Sequence, residues 1–180
     1  MPVVTVYTHE DTQQTGPLLQ SLIWFSKDYF LLALVGEVMA YQVLVPLDGS
    51  ECANQALEYT LEKFPDAVVT TIHVISPIES VYAVEAGGLP VAEELYDNAQ
   101  ERASEIHGDA EELADEYGVE LDTVTEVGKP ARTILEYADE HEINQIVMGS
   151  HGRTGVERVV LGSVAESVMR RAQIPVTVVR

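Results

Sequence analysis

Three glycines and a serine near the end of the chain have spacing suited to phosphate chemistry. Gly149-x2-Gly152-x9-Gly162-Ser163 follows the apolar run Ile146-Val147-Met148 and leads into a helical pattern. Amides at a Gly-rich turn and at a helix N-terminus lack intrahelical partners, so they can receive an anion. Glycine also lets the backbone approach a phosphate closely, which is the expected role of Gly149 and Gly152. Arg153 lies inside the loop and adds a permanent cation.

Other phosphate loops fail on spacing. Gly-x-Gly-x-x-Gly is absent, because the next glycine after Gly149 comes three residues later. A P-loop would need glycine where Thr123 stands ahead of Gly128-Lys129. Ser150-His151 has the residue types of a nucleophile and its base. Adjacent residues rarely bring their functional atoms together, and a triad also needs an orienting carboxylate, so no catalytic residue is assigned. His73 sits between Ile72 and Val74 and reads as a hydrogen-bonded strand residue. His9, His107 and His141 are scattered, and Cys52 is the only cysteine, so no metal site and no internal disulfide are expected.

The composition restricts the partners. The chain has 180 residues, 30 acidic and 10 basic, for a formal net charge of -20. Such a surface repels nucleic acid. Its self-repulsion is relieved by salt, and an acid-rich, lysine-poor chain points to a halophile's high-salt cytoplasm. An apolar content of 46% suits a packed domain rather than disorder.

The elements that must position the loop begin after residue 40. Gln42 to Leu47 reads as a buried strand, Asp48-Gly49-Ser50 as a turn, and Ser50 as the N-cap of a helix. Ala53, Ala56, Leu57, Leu61 and Phe64 recur at helical spacing until Pro65-Asp66. Ala67 to Ile75 is a second buried strand. Ser76 to Pro90, with Gly87-Gly88, reads as a mobile loop. A helix follows from about Val91 to Tyr117, with Ala99, Ala103, Ile106, Ala110, Leu113 and Tyr117 as its stripe and Gly118 as its left-handed stop. Val119 to Val127 alternates as an edge strand does. Pro130 opens a helix carrying Ala131, Ile134, Leu135 and Ala138, and Asn144 to Met148 is the next strand. Ser163 to Ala172 is a helix, and Ile174 to Val179 a last strand whose Pro175 favours an edge. The alternation predicts an α/β fold with a doubly wound parallel sheet, whose ligands bind beyond the carboxyl ends of the strands.

Residues 1–40 are a leader of uncertain structure, outside the domain at 41–180. Its first residues carry no positive n-region, so a signal peptide is not expected. Lys27-Asp28 interrupts the apolar stretch from Leu18 to Met39 and disfavours a membrane span. A loosely packed helix or a disordered leader is the reading, with a start at Met39 as the alternative.

Together the motifs resemble the universal stress protein family. The pieces are Val45-Pro46-Leu47-Asp48-Gly49-Ser50, His73-Val74, Gly128-Lys129-Pro130, Ile146 to Gly152, Gly162-Ser163-Val164 and Ile174-Pro175-Val176, in that order over residues 41–180. The resemblance implies an open parallel five-stranded sheet in the order 3-2-1-4-5, with helices on both faces. The complete glycine pattern is that of the family's ATP-binding branch. By resemblance Pro46 and Asp48 line the adenosine side, with Asp48 on the ribose, and Val74 contacts adenine through its backbone. Met148, Gly149, Gly152, Gly162, Ser163 and Val164 wrap the ribose and phosphates, with Arg153 as the nearest cation. The expected ligand is ATP, or AMP, with Mg²⁺ or Mn²⁺ on the phosphates. The family also implies a homodimer through the last strand, and the edge at Val176 to Val179 suits antiparallel pairing with a second copy. The resulting expectation is a cytoplasmic, ATP-binding stress-response protein acting by signalling or protection. A slow ATP hydrolase or adenylyl transferase, and a nucleotide-free interaction module, are the alternatives.

Overall fold

A computed structural model describes residues 4–7, 40–76, 89–151 and 161–180. In chain order the elements are β1 (Val4–Tyr7), β2 (Gln42–Pro46), α1 (Glu51–Lys63), β3 (Val68–Ile75), α2 (Leu89–Tyr117), β4 (Leu121–Val127), α3 (Pro130–Glu140), β5 (Gln145–Gly149), α4 (Ser163–Arg171) and β6 (Val176–Val179). All the described strands pair in parallel, in the order β1-β6-β5-β2-β3-β4. Counted from β2, that is the expected 3-2-1-4-5 sheet.

Local chemistry sets the boundaries. Ser50 caps α1 by accepting the Ala53 amide at 3.3 Å, and Glu51 and Lys63 complement the helix dipole at its two ends. Gly118, at φ +69°, stops α2, and the Val119 amide returns to the Ala114 carbonyl at 3.1 Å. Pro130 opens α3, where a missing amide costs nothing. The apolar runs of β2, β3 and β5 are buried on both faces, as parallel strands require. Val43, Val45, Leu57, Val69 and Val147 meet Ile106 and Ala110 on the α1 and α2 face. Leu44, Ile72, Ile146, Val176 and Val178 meet Ile134, Ala165 and Val168 on the α3 and α4 face.

Three expectations change. In α2, Ala103, Ile106, Ala110 and also Ala114 are buried, but Tyr117 is 37% exposed. Its hydroxyl donates to Glu58 at 3.3 Å, because a phenol at a helix end keeps its polar tip in water. The leader, of uncertain structure from sequence, supplies a strand at its start: β1 pairs with β6 in full register, Val4 opposite Val176 through Tyr7 opposite Val179. The edge at Val176 to Val179 is therefore occupied within the chain. Pro175 gives no edge signal because it precedes the strand, and its carbonyl accepts the Ile146 amide at 3.0 Å. β4 is an edge strand, as its alternation predicted. The rest of the leader, including Met39, and the loop at 77–88 lie outside the described residues.

Candidate functional site

The strand order reverses between β2 and β5, so the loops after these two strands diverge and leave a crevice. On the β2 side, the Leu47 amide donates to the Ile72 carbonyl at 2.9 Å and ends the pairing. Asp48 Oδ1 then accepts the Ser50 amide at 3.0 Å, an Asx turn, with Gly49 at φ +76°. Ser50 Oγ donates to the His151 carbonyl at 3.3 Å and so ties the β2 loop to the β5 loop. On the β5 side, the Ser150 amide donates to the Val179 carbonyl and the Ser150 carbonyl accepts the Gly162 amide, both at 2.8 Å. These bonds moor the start of α4 against the end of β5.

The result is a cavity of about 470 Å³ whose walls include Pro46, Asp48, Val74, Met148, Gly149, Gly162, Ser163 and Val164. Residues far apart in sequence thus meet in one place. Gly152 and Arg153 fall outside the described residues, so eight of the ten expected side chains and backbones can be placed. Gly162 is the N-cap of α4 and has no side-chain hydrogen bond, so the amides of the first turn are not capped by their own helix. They carry the positive end of the helix dipole toward the cavity.

Alternation along β3 places Val74. The Ile72 carbonyl faces β2 and the Ile75 carbonyl faces β4, where it accepts the Gly128 amide at 2.9 Å. The backbone groups of Val74 therefore face the β2 side, just past the point where β2 turns away. A planar base with one donor and one acceptor edge fits such a strand segment.

One sequence argument gains a second cause and another needs correction. Gly149 is required by packing: a Cβ there would lie 2.6 Å from the Cys52 carbonyl carbon and 2.9 Å from the Ala53 nitrogen. The first turn of α1 rests on this glycine. Ser150 and His151 do reach each other, with Oγ 3.0 Å from Nδ1. The expectation that adjacent functional atoms stay apart fails because the bend after β5 brings both side chains to one side. Ser150 is only 1% exposed, and His151 Nε2 is buried with no hydrogen-bond partner, so no carboxylate among the described residues orients the ring.

His73 behaves as a strand residue should, buried and donating through Nδ1 to the Leu47 carbonyl at 2.8 Å. Behind it, His107 of α2 lies between two hydroxyls, Thr71 Oγ1 at 3.4 Å from Nδ1 and Thr125 Oγ1 at 3.1 Å from Nε2. Burial, and then the neighbouring His73, hold the His107 pKa below its ordinary value.

The sequence reading missed the α2 wall. Asn98 and Arg102 line the cavity, and Arg102 Nη2 lies 3.6 Å from where a Gly49 Cβ would stand. Arg102 is the only Lys or Arg on the described walls, and it makes no ion pair with any described residue. A signal was present: it is the sole basic residue between Leu89 and Tyr117, in an otherwise acidic helix. Among the described residues no cluster of His, Cys, Asp and Glu could hold a metal, and no helix is long and apolar enough to cross a membrane.

Comparison with known proteins agrees with this geometry. A model of the universal stress protein family matches residues 39–180. The chain is 35% identical over 160 residues to universal stress protein MJ0531 of Methanocaldococcus jannaschii, covering 86% of this chain and 91% of that one. The solved structure of MJ0577, from the same organism, superposes with a TM-score of 0.67 at 29% identity, covering 79% of this chain and 98% of that one. Two more distant structures share the fold, each covering 78% of this chain: a universal stress protein in complex with cAMP (TM-score 0.59, 23% identity, 97% of that chain) and one from Archaeoglobus fulgidus in complex with dAMP (0.57, 22%, 98%).

Proposed function

The chain belongs to the universal stress protein family, and on that premise we propose that it binds ATP, or AMP, in the cavity between the β2 and β5 loops. The observation that carries this reading is the opening of α4, with its uncapped first-turn amides, onto the same cavity as Asp48 and the Val74 backbone. Asp48 takes the ribose, Val74 the adenine edge, and Gly162, Ser163 and Val164 the phosphates, with Gly152 and Arg153 completing the loop. Neighbours that hold cAMP and dAMP support an adenine-nucleotide site in this fold. A Mg²⁺ or Mn²⁺ on the phosphates would offset charge in a protein at -20. Binding of this kind suits a cytoplasmic stress-response role by signalling or protection, in a halophile's salt.

Titration calorimetry with ATP in molar KCl tests the site. Saturable one-to-one binding is expected, and Gly152→Val should abolish it while leaving the far-UV spectrum unchanged. Absence of binding by the unaltered protein, or equal binding by the variant, would rule the site out. The Ser150–His151 contact favours a second reading, slow ATP turnover. Prompt ADP release from a single turnover on pure protein would support it.

A further inference from the structure

We propose that His73 is a positioning residue for the base end of the site: it draws the Leu47 carbonyl out of the β2–β3 ladder and so keeps the Val74 amide open to the adenine edge. The base is taken from the reading above, whereas the ladder geometry does not depend on it. His73 is buried and lines the same cavity as Leu47 and Val74. Backbone carbonyls only accept, so the 2.8 Å bond to the Leu47 carbonyl fixes a proton on Nδ1.

The strand register identifies what this bond displaces. β2 and β3 pair in parallel from Gln42 opposite Val68 to Pro46 opposite Ile72. In a parallel ladder a bonding residue gives its amide to one partner residue and takes the amide of the next but one. At the two ends of this pairing the Val68 amide donates to the Tyr41 carbonyl, and the Leu47 amide to the Ile72 carbonyl. The next rung would carry the Val74 amide to the Leu47 carbonyl. No described backbone bond joins them. That carbonyl accepts the His73 side chain instead. β3 itself runs on to Ile75 against β4, so Val74 stays extended at the cavity wall with this rung unmade.

A backbone carbonyl left without a donor is costly. Without His73 Nδ1, the Leu47 carbonyl would take the Val74 amide and extend the ladder. A base would then find its donor already used. The ribose side is moored separately, because Asp48 Oδ1 holds the Ser50 amide at 3.0 Å. Loss of the His73 bond should therefore weaken adenosine and ATP alike, by up to about tenfold for one hydrogen bond.

Amide hydrogen exchange followed by NMR, with calorimetry in molar KCl, tests this on the full chain. In the unaltered, nucleotide-free protein the Val74 amide should exchange faster than the Leu47 amide, and adenosine should slow it. His73→Leu should slow Val74 exchange by up to about tenfold without any ligand, and weaken adenosine and ATP equally. A merely structural loss would speed exchange across β3 instead. His73→Asn keeps a donor nitrogen at the same number of bonds from Cα as Nδ1, so it should restore both the exchange rate and the affinity. If His73→Leu does not fold, the unaltered protein and His73→Asn decide the matter. Val74 as protected as Leu47 without nucleotide would overturn the proposal. So would unchanged or faster Val74 exchange in a folded His73→Leu, or His73→Asn failing to restore exchange and affinity. The expected exchange pattern with no binding of adenosine or ATP by the unaltered protein would overturn the nucleotide reading and leave His73 as the residue that ends the ladder.

Discussion

At the scale of single residues, charge placement matters most. Arg102 lines the same cavity as the start of α4 and stands beside the Gly49 turn. The Ser50 bond to His151 ties that turn to the β5 loop, and on the proposed reading the guanidinium is there to meet phosphate. Removing a charge-assisted bond of this kind costs roughly 1.5–3 kcal/mol, less at an exposed position. Arg102→Ala should thus weaken ATP about tenfold and leave adenosine unchanged, measured by calorimetry at fixed KCl. Equal losses for both ligands would show that Arg102 does not touch phosphate. His107 makes a different prediction. Its pKa is lowered from 6.5 by burial and by His73, partly opposed by the Val124 backbone and Glu111. The unfolded chain therefore binds more protons than the native one as pH falls below 6.5, and the stabilisation present above 6.5 is progressively lost. Urea midpoints measured between pH 7.5 and 5.5 should decline, and His107→Asn should flatten that slope. A slope unchanged in the variant would place its origin elsewhere.

At the scale of elements, the contact of α1 with β5 holds the site together. Gly149 lets the first turn of α1 sit on the end of β5, and Ser50 both caps that helix and bonds the β5 loop. A Cβ at 149 would press on backbone rather than on a side chain that could rotate away. Overpacking of this sort costs typically 1–3 kcal/mol, so Gly149→Ala should lower stability by about that amount. ATP affinity should fall with it, because the two loops would separate. Denaturation and binding measured on the same preparation check both, and normal stability with lost binding would point to a direct phosphate role for this glycine instead. α2 is equally divided in its duties. Its C-terminal half buries Ala103, Ile106, Ala110 and Ala114, while its earlier turns present Asn98 and Arg102 to the cavity.

At the scale of the whole molecule, the net charge of -20 sets the conditions for folding. The described ion pairs are few and exposed, Lys63–Glu62, Arg132–Glu136 and Arg170–Glu166, so they offset little of the repulsion. The Debye length shortens from about 10 Å at 0.1 M salt to about 3 Å at 1 M. The melting temperature should therefore rise between 0.1 and 1 M KCl. A flat or falling Tm in circular-dichroism melts would remove the high-salt reading of the composition.

Period and punctuation made most of the fold legible in the sequence. The doubly apolar runs at Val43–Val45 and Ile146–Met148, the Ser50 cap, the Gly118 stop and the Pro130 start are local signals with local causes. Eight of the ten residues expected at the site lie on one cavity because a parallel sheet collects the carboxyl ends of its strands on one side. What only the tertiary structure decided is what lies across space from each residue. Arg102 reads as one charge on an acidic helix until α2 is laid beside the Gly49 turn. Gly149 reads as a phosphate glycine alone until α1 is seated on it. Val176 to Val179 reads as an open edge until Val4 to Tyr7, at the far end of the chain, pairs along it. Backbone pairing and close packing are set by the whole fold, so no local pattern encodes them.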